Sequence, residues 1–211
     1  MSVVDAHRPV ARRVFAAVMV VWVIASIVSA IAPQDRVTWF LEAAPVPIAA
    51  SLLLATRERF PFTTLAYVLI CVHGLILIVG AAYTYAQVPA GHWVQNWLDL
   101  QRNPYDRLGH FAQGFVPAIV AREILIRTFR LAPGGFLFFV TLCICLAVSA
   151  FYELIEWWTA LALGHSAEHF LGTQGDEWDT QWDMFLALTG ALAAQLLLAR
   201  LHDRQMRALR G

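Results

Sequence analysis

Apolar residues in this chain come in long runs, not in the alternating or one-in-three patterns of half-buried strands and surface helices. Six runs stand out, at residues 14–32, 37–55, 62–86, 108–126, 135–158 and 182–201. Each is close to the roughly 20 residues that a helix needs to cross a hydrocarbon core of about 30 Å. Lipid offers no water to satisfy backbone amides and carbonyls, so each run predicts a helix. Pro45 and Pro47 interrupt the second run. The first follows Arg8, Arg12 and Arg13 and ends in Ala30-Ile31-Ala32, the small-x-small form of a signal-peptide cleavage site. Its length, and Pro33 immediately after it, favour an uncleaved span.

Composition agrees with the pattern. Of 211 residues, 59% are hydrophobic and only 14% are charged, against about 25% charged in a soluble domain. Six spans of about 20 residues use roughly 120 residues, which leaves short loops and predicts a single integral membrane domain over 1–211. The predicted fold class is therefore all-α, a polytopic bundle of about six helices embedded in the lipid bilayer. Net charge is zero, so no bulk basic field points to nucleic acid. Cys71, Cys143 and Cys145 lie inside apolar runs and show neither a disulfide framework nor a metal-ligand spacing.

Charge matters through its placement. All fifteen basic residues are arginine. Twelve fall on one side of the predicted spans: Arg8, Arg12, Arg13, Arg57, Arg59, Arg122, Arg127, Arg130, Arg200, Arg204, Arg207 and Arg210. Arg36, Arg102 and Arg107 fall on the other. Cytoplasmic loops of membrane proteins are enriched in Arg and Lys, so both termini are expected inside and the number of crossings even. The longest connections, 87–107 and 159–181, are then outside, and long ordered loops tend to be functional.

Ionisable side chains in or beside a span are costly and are functional candidates by default. Asp106 and His110 are spaced i and i+4, one face of a helix started by Pro104. Glu153 and Glu156 are spaced i and i+3 near the end of the fifth span, where the helix dipole disfavours acids. Asp179 and Asp183 are spaced i and i+4 at the start of the sixth. At 1.5 Å per residue all three pairs fall at one depth, beneath the outer face. Carboxylates gathered round a histidine repel unless a cation, an arginine or a shared proton compensates. Asp106, His110, Glu153, Glu156 and Asp183 are thus candidate ligands of a divalent cation, and with Asp179 they are candidate acids and bases. Arg102, Arg107, Tyr105 and Gln181 are candidate contacts to a substrate such as a lipid phosphate. Capping of helix starts by Asp106 and Asp183 is the plain alternative.

Other signals are weaker. His165-Ser166-Ala167-Glu168-His169 has the H-x-x-E-H spacing of some zinc proteases but no specified third ligand. His73 lies mid-span and reads as an interhelical hydrogen bond. Arg122 and Glu123, near the inner end of the fourth span, read as a snorkelling or paired couple. Glu42, one turn into the second span, could join the acidic group. Trp93, Trp97, Trp157, Trp158, Trp178 and Trp182 read as an interfacial belt. Gly190 and Ala194 form a small-x-x-x-small step suited to helix packing.

The blocks Tyr105-Asp106-Arg107-Leu108-Gly109-His110-Phe111, Glu153-Leu154-Ile155-Glu156-Trp157-Trp158 and Gly172-Thr173-Gln174-Gly175-Asp176, continued by Trp178-Asp179-Thr180-Gln181 and Asp183-Met184, resemble the YjdF-type bacterial inner-membrane family. That family's domain has no assigned function. The resemblance implies an inner-membrane location. More remotely, an Asp-x-x-x-His, then a glutamate, then an aspartate opening a glycine-containing last helix resembles VanZ-like membrane proteins, and this implies no reaction. The leading expectation is an outward-facing acidic and histidine site, metal-dependent or not, that acts on or binds a lipid or envelope-precursor headgroup. A proton- or cation-coupled transporter and a non-catalytic interaction factor are the alternatives. Transport ranks second because the inner halves of the spans read as apolar apart from His73 and the Arg122/Glu123 pair.

Overall fold

The computed structural model describes residues 3–164 and 173–210, with side chains described from Val10 to Leu209. The His165–His169 motif lies outside the described residues. Among those residues the chain forms eight α-helices: α1 (Val3–Ile31), α2 (Arg36–Ala43), α3 (Pro45–Thr56), α4 (Thr64–Ala82), α5 (Pro89–Trp97), α6 (Tyr105–Arg127), α7 (Gly135–Leu163) and α8 (Asp179–Arg210). Five stretches are long and apolar enough to cross a membrane: Val10–Ile31, Arg36–Thr56, Thr64–Ala82, Gly135–Leu163 and Asp179–Leu209.

The second expected span is two helices that meet at Ala44, because Pro45 and Pro47 cannot donate to the preceding turn. Asp35 starts the first of them, accepting from Thr38 N at 2.7 Å. The expected outer loop 87–107 holds a helix of its own, α5, opened by Pro89 at its first position.

The fourth expected span, α6, is the exception in polarity. It carries Asp106, Arg107, His110, Gln113, Arg122, Glu123 and Arg127 and is not among the five apolar stretches. At 23 residues it is about 34 Å long, enough to run the full bundle. A helix this polar is tolerated at membrane depth only where protein covers it. Accordingly α6 packs against α8, α7 and α4, while α1 covers α4 and α8.

The α6–α8 contact is unusually close. Ala187, Ala191 and Ala194 are fully buried. A Cβ added at Gly114 would overlap the backbone oxygen of Ala187, and one at Gly190 would overlap that of Phe111. Small residues at this spacing let two backbones meet, which is how helices associate when lipid removes the hydrophobic drive. Gly190→Leu is therefore expected to cost about 1–3 kcal/mol by overpacking. A thermal unfolding scan of the detergent-purified variant checks this, and an unchanged midpoint would contradict the packing.

The bundle has two polar ends. Arg12 pairs with Glu58 at 2.9 Å, and Gln205 Oε1 accepts from Leu65 N at 2.9 Å. The start of α1, the α3–α4 turn and the end of α8 thus share the arginine-rich end. The α2 start, the 83–105 segment and the α8 start form the acidic end.

Candidate functional site

At the acidic end, the start of α6 is tied down by its neighbours. Asn103 donates from Nδ2 to Val88 O at 3.0 Å, and its Oδ1 accepts from Tyr105 N at 3.0 Å. Gln174 and the Asn103 backbone bond reciprocally, at 3.0 and 3.1 Å. This fixes Arg102, which is 8% exposed. Its guanidinium reaches Asp106 at 3.2 Å, Asp176 at 3.6 Å and Thr173 O at 3.2 Å, and it bonds Asp179. Arg107 pairs with Asp176 at 3.3 Å and lies over the Trp182 ring at 5.5 Å. This ion-pair layer closes the end of the bundle.

His110 lies one turn beneath it and gathers carboxylates from three helices. Its Nε2 is 3.5 Å from Asp106 and 3.6 Å from Asp183. Its Nδ1 is 2.9 Å from Gln113 Oε1 and 3.9 Å from Glu153. Ligand atoms of Asp106, His110 and Asp183 lie within 4.8 Å of one another, and so do those of His110, Glu153 and Glu156. Metal–ligand bonds of about 2.1 Å place adjacent donor atoms roughly 3–3.5 Å apart. The 3.5 and 3.6 Å separations are close to that. Five of the six acidic and histidine residues read from the sequence therefore lie together round His110, while Asp179 lies in the Arg102 layer above them.

Several of these oxygens have no internal partner. Glu42 Oε2, Glu153 Oε1 and Asp183 Oδ1 are buried without a hydrogen bond, and their residues are 4%, 8% and 2% exposed. Buried polar atoms are nearly always bonded, so two orphans beside one histidine and a third on the cavity below it require a reason. A cation or protons supplied to the site would satisfy them.

Below His110 is a cavity of about 210 Å³, lined in part by Glu42, Tyr85, Gln113, Tyr152 and Glu156. Tyr85 reaches it from a turn in which Thr84 and Tyr85 both adopt positive φ, 53° and 49°. Its ring lies so close to Gly80 that a Cβ there would overlap it. Burial above all, and then Glu42, pushes the Tyr85 phenol well above its ordinary range. It therefore stays a neutral hydroxyl. No sequence pattern marked Tyr85, because a two-residue positive-φ turn has no signature without glycine or asparagine.

Two candidates stand apart from this centre. Tyr105 donates its hydroxyl to Ile76 O at 3.0 Å and packs edge-on against Tyr85. Gln181 is exposed; two residues from both Asp179 and Asp183, it lies on the other face of α8. Asp183 faces His110 instead of capping α8, which begins at Asp179.

The arginine-rich end holds a second buried network. Glu123, fully buried, accepts from Thr63 N at 3.0 and 3.2 Å, from the Thr63 hydroxyl at 2.7 Å, from His202 Nε2 at 2.9 Å, and from Arg127. Arg122 pairs with Asp203 at 2.7 Å and donates to His202 Nδ1 at 3.4 Å. Only a neutral ring bearing its proton on Nε2 satisfies both contacts of His202. Of snorkelling or pairing, the readings open for Arg122 and Glu123, the structure has pairing, with Asp203 and Arg127 as the partners; Arg122 is 5% exposed and turned inward. Nothing in the sequence singled out His202 and Asp203; their inward role follows from α8 continuing to Arg210 beside α6.

Residues 14–204 match the family described as "Predicted membrane protein (DUF2238)". The chain is 57% identical over 181 residues to the inner membrane protein YjdF of Escherichia coli (strain K12), covering 86% of this chain and 87% of that protein. No solved structure matches it.

Proposed function

The chain belongs to the DUF2238 family of membrane proteins, and from that premise we propose that its acidic-end site binds a divalent cation at His110 and thereby engages a lipid or envelope-precursor headgroup. The protein is an inner-membrane protein, as its E. coli relative is. The observation that carries the reading is the pair of orphaned carboxylate oxygens beside His110, from Glu153 and Asp183, with the orphaned Glu42 oxygen on the cavity below. An oxygen-rich set with one imidazole suits Mg²⁺, Mn²⁺ or Zn²⁺. His110 Nε2, between Asp106 and Asp183, holds either a proton or the metal, so the two compete. Arg107 is the arginine suited to a headgroup phosphate: its side chain is 35% exposed and pairs with the single carboxylate of Asp176. Arg102 is already shared among three aspartates.

A coupled-transport reading has less support. Between His110 and Glu123, about 20 Å along α6, the stretch from Phe115 to Ala121 carries no polar side chain. A proton or cation crossing between the two polar ends would have to pass it.

Elemental analysis of the purified protein tests the proposal. The wild-type chain is expected to retain one divalent cation per chain after dialysis. His110→Ala and Glu153→Gln are each expected to weaken retention at least about 10-fold, the scale on which loss of a supporting group weakens metal sites. A wild-type protein that neither carries nor takes up metal would sink the reading.

A further inference from the structure

The cavity beneath His110 has a neighbour. Four of its lining residues, Pro45, His73, Leu77 and Pro117, also line a second cavity of about 480 Å³. That second space is walled by α3, α4 and α6, with Trp22 of α1 at its back. Its lining includes Val46, Leu53, Ile70, Gly74 and Val120 and is apolar throughout except for His73 and two threonines near its far end, Thr56 and Thr128. Leu52 and Thr128 on its rim are exposed, so it opens sideways. The space exists because α3, displaced from α2 by the Pro45 break, leans on α4 and leaves the α6 face uncovered.

At the junction is His73. Its Nε2 is buried without a hydrogen-bond partner. The sequence reading of His73 as an interhelical hydrogen bond fails for this nitrogen. Side by side, the two cavities offer a carboxylate-lined head, a single orphaned imidazole nitrogen at their shared wall, and an apolar body. Along α4 the body runs from Leu77 to Ile70, about 11 Å at 1.5 Å per residue, and Phe62, just before the helix, also lines it. Half a hydrocarbon core is about 15 Å thick.

We propose that the two cavities form one binding site for an ester-linked membrane lipid, with the headgroup beside His110, one aliphatic chain in the α3–α4–α6 groove, and the ester carbonyl accepting a hydrogen bond from His73 Nε2. This rests on the headgroup reading above and names the ligand class for it. The match is of shape and polarity together. An aliphatic chain is the occupant an apolar groove open to a bilayer favours, and the carbonyl is the acceptor that lies where headgroup and chain join. A soluble precursor lacking a chain would leave the groove without a role, and a free fatty acid would place a carboxylate among the site's own.

The test uses full-length protein in nanodiscs of phosphatidylethanolamine and phosphatidylglycerol, doped with phosphatidylethanolamine carrying a mid-chain diazirine. After illumination, adducts are mapped by mass spectrometry. The expected adducts concentrate on groove residues such as Ala49, Leu53, Gly74 and Val120, and are lost when Ala49→Trp fills the groove. Adducts spread evenly over the outward faces of all helices would overturn the proposal, whether or not Ala49→Trp folds. His73→Leu is expected to reduce groove labelling several-fold and His73→Gln, which keeps a donor, to restore part of it. Equal labelling by a diazirine fatty acid would overturn the assignment to an ester-linked lipid. Metal content is read on the same samples. Ala49→Trp is expected to keep its metal while losing lipid, so failure of the groove proposal and failure of the cation reading are told apart.

Discussion

Glu123→Ala is expected to destabilise the protein by about 3–5 kcal/mol, the cost of removing one partner from a buried ion-pair network. The carboxylate is fully buried and receives donors from three directions: the α4 start through Thr63, α8 through His202, and its own helix through Arg127. Its loss orphans Thr63 N and His202 Nε2, and it removes the counter-charge of Arg127. Thr63 also caps α4, its hydroxyl accepting from Ala66 N at 3.3 Å, so the α4 entry loosens as well. Arg127 keeps Pro61 O at 2.7 Å and its position 4.0 Å over the Phe60 ring, which limits but does not cancel the loss. Glu123→Gln keeps an acceptor for Thr63 and is expected to fall between wild type and alanine. The check is tryptophan-monitored unfolding of detergent-purified variants. An alanine variant as stable as the wild type would show that the network contributes nothing net. The same experiment should leave metal retention at His110 unchanged, because the two centres are about 20 Å apart along α6.

The helices were legible from hydropathy because a bilayer allows a long apolar run little else. The covered position of α6 has its cause in the chain as well: Asp106, Arg107, His110, Arg122, Glu123 and Arg127 make it too polar to face lipid, so protein must surround it. Depth followed from counting residues, and this placed Asp106, His110, Glu153 and Asp183 at one level. Rotation did not follow, since it depends on close contacts. The α6–α8 approach through Gly114 and Gly190 is what turns Asp183 toward His110 and His202 toward Glu123. Gly190 was read as a packing residue, but its consequence for residues two turns above and three below needed coordinates. Tyr85 and Gln174 were hidden for other reasons. Tyr85 acts from a turn whose positive φ values fall on Thr84 and Tyr85, so no local signature announced it; the Gln174 turn contains Gly175, but nothing in the sequence tied the Gln174 side chain to Asn103. The groove was hidden too, because an apolar wall facing a cavity and one facing lipid read the same in sequence.

Arg102→Ala is expected to have an effect of similar size at the other end, again about 3–5 kcal/mol. Arg102 is the counter-charge shared by Asp106 and Asp179, which are 8% and 5% exposed, with Asp176 at 3.6 Å. Without it the closing layer is a set of aspartates with Arg107 alone, and Arg107 reaches only Asp176. The bond to Thr173 O at 3.2 Å is lost as well, so the segment entering α8 is released from the start of α6. Arg102→Lys should rescue little, because an ammonium is a single point of charge and cannot fork between Asp106 and Asp179 as a guanidinium does. Combining Arg102→Met with Asp106→Asn and Asp179→Asn should recover much of the stability, since the cost comes from stranded charge and not from the absent contact. The unfolding midpoint, followed by tryptophan fluorescence with Trp182 beside Arg107 as a local reporter, distinguishes these outcomes. If the triple variant is no more stable than Arg102→Ala, the layer is held by something other than charge compensation. If it recovers while metal retention falls through the loss of Asp106, closure of the site and ligation within it are separable, although Asp106 takes part in both.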